Sequence, residues 1–269
     1  MRRLACPEFS VMPDWVQART EVCAEPGIVR VRSVLPGGYP AYGKLFHRIY
    51  IDSTIRNRQL SWNDVTDPSR TEVELQVPRS PSLDALCDLT KGAKLVRGSP
   101  EGDFDGTWLR WSELCARLKL KYHADLNDST FTRRFPDQSW PRYLVGPDDG
   151  TLDLDSCDAL VILLGLHAER GPCTFFYSPF AVRKQIPLLF EGVLEDVLSA
   201  FDLDEMYGSP TYWWPSDRSW CVCSDPDLTF TLVAGSERLI QEIAGHPEME
   251  AFPIDLDARV DSRADRANP

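Results

Sequence analysis

No apolar run in this chain could span a bilayer. The longest, residues 159–166, is eight residues long and already contains Gly165, against roughly 20 for a membrane helix. No membrane contact is expected. Histidine is scarce, with four in 269 residues, so few side chains can exchange protons near neutral pH. The glycine-rich phosphate loop, the dinucleotide fingerprint, the Gly-x-Ser-x-Gly elbow and His-Glu-x-x-His are all missing. Their absence weakens an enzymatic reading without excluding one. Met1-Arg2-Arg3 is followed by Pro7, Glu8 and Pro13 instead of an apolar segment, so no signal peptide is read and a cytoplasmic location is expected. Basic residues are also short, 29 against 41 acids, for a net charge of −12. Between residues 146 and 207 twelve acids meet three bases, a local charge of −9. Phosphate contacts need Lys or Arg, so no nucleic-acid partner is expected there.

What remains is ordinary globular material, 43% hydrophobic and 26% charged. The eight cysteines are scattered through a chain long enough to build a core without staples, and reduced thiols are expected. Alternating or helical spacing predicts strands over 27–35, 39–51, 70–78, 143–145, 173–177, 220–223, 228–233 and 251–254. Pro253 marks the last as an edge strand. Helices are predicted over 83–90, from Ser112 as cap, over 157–167 after Ser156, over 191–201, and over 236–244 with Ser236 as cap. Residues 98–106 read as a loop. Strands and helices follow one another without a βαβ rhythm. The prediction is therefore an α+β fold: one compact domain, with a mixed or antiparallel sheet and several short helices. Residues 1–35 would be an N-terminal extension with a first strand and 36–254 the domain, with an insertion at 52–106. A charged, fraying tail would occupy 255–269.

Four groups of residues could carry chemistry. Three tryptophans crowd the run Tyr212-Trp213-Trp214-Pro215-Ser216-Asp217-Arg218-Ser219-Trp220. Such indoles either plug a core or line a recognition surface. In the second case Trp213 and Trp214 form a pocket rim, Arg218 clamps an anion and Asp217 orients it. His47 and His167 could meet across a cleft with Asp217 as general bases. Cys221-x-Cys223 puts two thiols on one strand face but lacks a second pair of metal ligands. The repeated Asp-x-Asp pairs follow from composition, and Asp158 stands where a calcium loop needs glycine. No metal and no cofactor are expected.

Several ordered segments resemble a group of bacterial proteins that has no established activity. They are Gly38-Tyr39-Pro40-Ala41-Tyr42 with Leu45-Phe46-His47, then Arg110-Trp111-Ser112-Glu113-Leu114, then Gly150-x-Leu152. The most specific is Trp213-Trp214-Pro215-x-Asp217-Arg218-x-Trp220-Cys221-Val222. After it come Asp225-x-Asp227-Leu228, Gly235-Ser236 and Glu250-Ala251. The resemblance implies a bacterial cytosolic protein and no mechanism. From the residues themselves, the expected function is a binding or interaction protein, most concretely an immunity-type partner that neutralises a basic protein. Its acidic interaction face would be Glu191, Glu195, Asp196, Asp202, Asp204 and Glu205, since an opposite field supplies on-rate and specificity. The alternative is a small-ligand binder or enzyme built on the tryptophan rim.

Overall fold

The structure is a computed structural model that describes residues 1–6, 12–21, 25–66, 106–169 and 171–268. The strands are β1 (Arg2–Leu4), β2 (Ala41–Phe46), β3 (Ile49–Asp52), β4 (Gly106–Leu109), β5 (Leu144–Val145), β6 (Cys173–Tyr177), β7 (Leu188–Gly192), β8 (Tyr212–Pro215), β9 (Cys221–Cys223), β10 (Phe230–Gly235) and β11 (Ala251–Ile254). The helices are α1 (Asp14–Gln17), α2 (Val31–Val34), α3 (Trp62–Thr66), α4 (Trp111–Leu118), α5 (Asp128–Thr132), α6 (Leu154–Leu166), α7 (Asp196–Ser199) and α8 (Glu237–Ala244). Eight strands form one sheet in the order β1-β7-β6-β8-β9-β10-β2-β11, and β4-β3-β5 form a second. Every strand pair among the described residues is antiparallel. The fold is α+β, as the sequence predicts.

Strand alternation builds two cores from one sheet, because residues two apart share a face. Leu45, Phe175, Tyr177, Trp213, Trp220, Val222 and Val233 face α6 and α8 in the first core. Tyr42, Phe46, Phe176, Tyr212, Trp214, Cys221, Cys223 and Phe230 face the opposite way, toward Trp111 and Phe131. Adjacent indoles of β8 thus serve different cores. The helix α8 buries Leu239, Ile240 and Ile243, and the Ser236 hydroxyl accepts from Leu239 N at 3.2 Å. Its close seat on β2 depends on Gly43, where a Cβ would meet two Ile240 carbons at 3.3 Å. β11, with Pro253, lies at the sheet edge as predicted.

The chain departs from its local pattern in several places. Residues 31–34 form a helical turn instead of a strand: Val31 and Val34 are buried three apart, and the Ser33 hydroxyl bonds to Arg30 at both its N–H and C=O. Residues 188–192 are strand β7, so the helix predicted over 191–201 shrinks to α7 and a following turn, and Val193 points outward. Residues 212–215, outside every predicted strand, are a central strand. The N-terminal residues are no mere extension, because β1 pairs with β7. The tail does not fray. Asp265 accepts from Thr130 Oγ1 at 2.8 Å and from the Ala267 and Asn268 amides at 3.0 Å, and it is buried with Val260 and Ala264. The strand predicted at 70–78, the helix at 83–90 and most of the loop at 98–106 lie outside the described residues.

Two predicted caps are held by other residues. The first amides of α4 are bound by the Glu250 carboxylate, which accepts from Trp111 N at 2.6 Å, Ser112 N at 3.1 Å and the Ser112 hydroxyl at 2.9 Å. Asp153, not Ser156, caps α6, accepting from Ser156 N at 2.9 Å.

Candidate functional site

Each predicted histidine is tied into its own surroundings. His47 sits where the chain leaves β2 for β3 and is 1% exposed. Its Nδ1 lies 2.6 Å from the Asp148 carbonyl, an acceptor only, so Nδ1 carries the proton. Nε2 then accepts from the Thr231 hydroxyl at 2.9 Å, which in turn accepts from Ser224 at 2.6 Å. Burial pushes the imidazole pKa down to about 4. Both nitrogens are occupied, which leaves no lone pair for a general base. His167 ends α6, with Nε2 at 2.7 Å from Glu242 and Nδ1 at 3.5 Å from the Ser236 hydroxyl. The two histidines share no partner, and neither bonds to Asp217.

The tryptophan segment divides likewise. Trp213 and Trp220 are fully buried, edge to face at 5.7 Å in the first core. Trp214, 7% exposed, meets Trp15 of α1 edge-on at 5.2 Å. Asp217 makes no ion pair with Arg218. Its carboxylate accepts from Glu169 N and Ser219 N, both at 2.9 Å. Burial would raise its pKa, but these amide bonds outweigh burial and hold it low. The Arg218 guanidinium instead covers the Trp15 ring at 4.6 Å. The buried thiols of Cys115 and Cys173 are pushed up by burial to about 12, and Cys157, Cys221 and Cys223 higher still. At neutral pH none of the five is a thiolate nucleophile. No group of three His, Cys, Asp or Glu among the described residues is arranged to hold a metal ion.

The acidic segment is partly neutralised from within. Arg2 reaches Glu191 at 2.6 Å, the α-amino group of Met1 reaches Asp196 at 3.2 Å, and Lys184 reaches Glu205 at 3.4 Å. Glu195, Asp202 and Asp204 are exposed and have no ion pair among the described residues. The neighbouring helix α6 adds more carboxylate. Asp153 faces Arg48 at 3.4 Å, and Asp155 shares that guanidinium at 2.8 Å. Asp158, one turn along, is exposed and unpaired among the described residues. Between α6 and α7 runs a groove of ≈ 430 Å³. It is walled by Leu154, Leu198 and Phe201 and rimmed by Asp155, Asp158 and Asp202.

The chain matches no family model, no curated protein and no solved structure. Nor, among the described residues, is any helix long and apolar enough to cross a membrane.

Sequence reasoning passed over Ile162 and Leu166, which are 60% and 73% exposed on α6. The signal was present. This helix is apolar nearly all round, the pattern of a helix covered on every side, yet Asp155, Asp158, Ile162 and Leu166 form an uncovered stripe at helical spacing. Trp15 had no local signal, since nothing near it in the chain announces a contact with residue 214.

Proposed function

We propose that this protein is an interaction module that receives a basic, amphipathic segment of a partner protein on its α6–α7 flank. The observation that carries the reading is the α6 stripe, in which two exposed aliphatic side chains continue a line of carboxylates beside an apolar groove. Isolated exposed leucines are unremarkable. A pair one turn apart, on a helix whose other aliphatic side chains are buried or half-buried and beside Asp155, Asp158 and Asp202, is what a partner with Lys or Arg around apolar anchors would match. Burying Ile162 and Leu166 would contribute about 1–2 kcal/mol each, after discounting the area already covered. The carboxylates would act mainly on encounter rate and partner choice. Of the acidic face expected from the sequence, Glu195, Asp202 and Asp204 serve this role best, since their charge is not already matched within the chain. Masking a basic surface in this way is how an immunity-type protein would neutralise its target.

The test is calorimetric titration with a synthetic amphipathic peptide bearing lysines on one face and leucines on the other. A second peptide with glutamate in place of lysine is the control. The lysine peptide should bind, more weakly as salt rises, and both I162S/L166S and D158N/D202N should weaken it about tenfold. Equal binding of the two peptides at low salt would refute the reading, as would full retention of binding by I162S/L166S.

A further inference from the structure

A second locus stands out by its chemistry. Two buried polar atoms near the Arg218 turn have no hydrogen-bond partner: Trp15 Nε1 and Tyr39 Oη. Buried polar groups are nearly always satisfied, so each such atom asks for an explanation. The indole nitrogen can only donate, and the phenol can donate as well. Two arginines stand beside them in a chain of net charge −12. Arg218 lies over the Trp15 ring at 4.6 Å, and neither it nor Arg19 has a carboxylate within ion-pair distance among the described residues. Both charges act on the Tyr39 phenol, opposing the effect of burial. Arg19 is brought in by its own backbone, whose carbonyl accepts from Gly37 N at 2.9 Å, two residues before Tyr39.

The turn that carries Arg218 is strained. Arg218 has φ +55°, the left-handed region that a side chain of this kind rarely adopts. Its N–H is tied to the Pro215 carbonyl at 2.9 Å, and Asp217 secures the next amide. The adjacent carboxylate is therefore spent on backbone amides while the guanidinium is held over an indole. Strain kept at a fixed, charge-bearing position is the pattern of a binding residue.

We infer that Trp15, Arg19, Tyr39 and Arg218 form a site for a small oxyanion of the phosphate type, separate from the residues of the α6–α7 flank. Every orphaned group can donate and both charges are positive, so the ligand must be an acceptor with negative charge. Phosphate offers more acceptor oxygens than a carboxylate to a donor set of this size. A guanidinium stacked on an indole keeps its N–H edge available to such oxygens.

The experiment is a titration of the full chain with inorganic phosphate, followed by ¹H–¹⁵N NMR at the Trp15 indole N–H, with W15F to assign the signal. Chloride and acetate at matched ionic strength are the controls. Arg218→Gly suits the left-handed backbone, so it removes the guanidinium without adding strain; R19A removes the other charge at an exposed position. A saturable shift with phosphate, larger than with acetate and absent with chloride, is expected. It should weaken about tenfold or more in R218G. A response to chloride equal to that to phosphate overturns the inference, as does a phosphate response unchanged in R218G/R19A. Acetate binding as tightly as phosphate overturns the phosphate preference. None of these outcomes bears on peptide binding to α6, which is read with a different probe.

Discussion

Replacing Glu250 by alanine tests the least local feature of this fold. Its carboxylate is 6% exposed and caps the start of α4, more than 130 residues earlier in the chain, through bonds of 2.6, 3.1 and 2.9 Å to Trp111 N, Ser112 N and the Ser112 hydroxyl. Losing a helix cap costs about 1–2 kcal/mol. The Trp111 amide is buried, and leaving such a donor unsatisfied adds about 1–3 kcal/mol. E250A should therefore lose about 3 kcal/mol. That corresponds to a fall of about 6–12 °C in melting temperature for a chain of this size. Glu250→Gln keeps one acceptor oxygen and should fall between E250A and wild type. Ser112→Ala removes one bond of the three and leaves both amides capped, so it should cost about 1 kcal/mol or less. Urea unfolding of the variants measures these differences directly. Were Ser112 itself the cap, S112A would be as damaging as E250A. That result, or an E250A variant within about 1 kcal/mol of wild type, would refute the reasoning.

Lys44 provides a test by pH. It is 1% exposed, donates to the Leu126 carbonyl at 2.6 Å and stands 3.8 Å over the Phe230 ring. Burial lowers its pKa from 10.5 to about 7. Between those values the unfolded chain holds a proton that the folded chain does not, so this residue's contribution to stability rises as pH goes from about 7 toward 10.5. Urea midpoints of wild type and Lys44→Met at pH steps across that window should differ in slope, with the rise missing from K44M; parallel curves would count against it. Gly150→Ala should cost about 2 kcal/mol or more, because φ is +68° and the new Cβ would stand 2.6 Å from Pro226 Cα. A thermal scan that shows no loss would mean the loop moves aside freely.

The parts of the fold legible in the sequence are those decided within a few residues. Ser236 and the spacing of Leu239, Ile240 and Ile243 are enough to place α8 and its buried side. Cys221 and Cys223, two apart in a strand, had to share a face, and they do so as core thiols. Residues 188–192 misled because Val193, Leu194, Val197 and Leu198 have helical spacing, while the strand pairing of Leu188–Gly192 with β1 and β6 supplies hydrogen bonds that no spacing rule weighs. The signal for Lys44 was also there: it alternates with Tyr42 and Phe46, so it had to enter their core.

The candidate sites were legible only in part. Arg218 was marked by its neighbours in sequence, but the ring it covers belongs to Trp15, and Asp217 serves the backbone. The negative charge of residues 146–207 was countable, yet Met1 and Arg2 arrive from the far end of the chain to neutralise part of it.

Composition and short-range periodicity by themselves determined the α+β class, the amphipathic α8, the edge position of β11 and the excess of acid on one stretch, because those follow from backbone geometry and from side chains a few positions apart. Tertiary structure alone decided which carboxylates remain unpaired, that Glu250 caps α4, and that Arg218 covers Trp15. The physical reason is that charge neutralisation, capping and stacking act over a few ångströms of space, and only chain closure brings positions 15 and 218, or 111 and 250, within that distance.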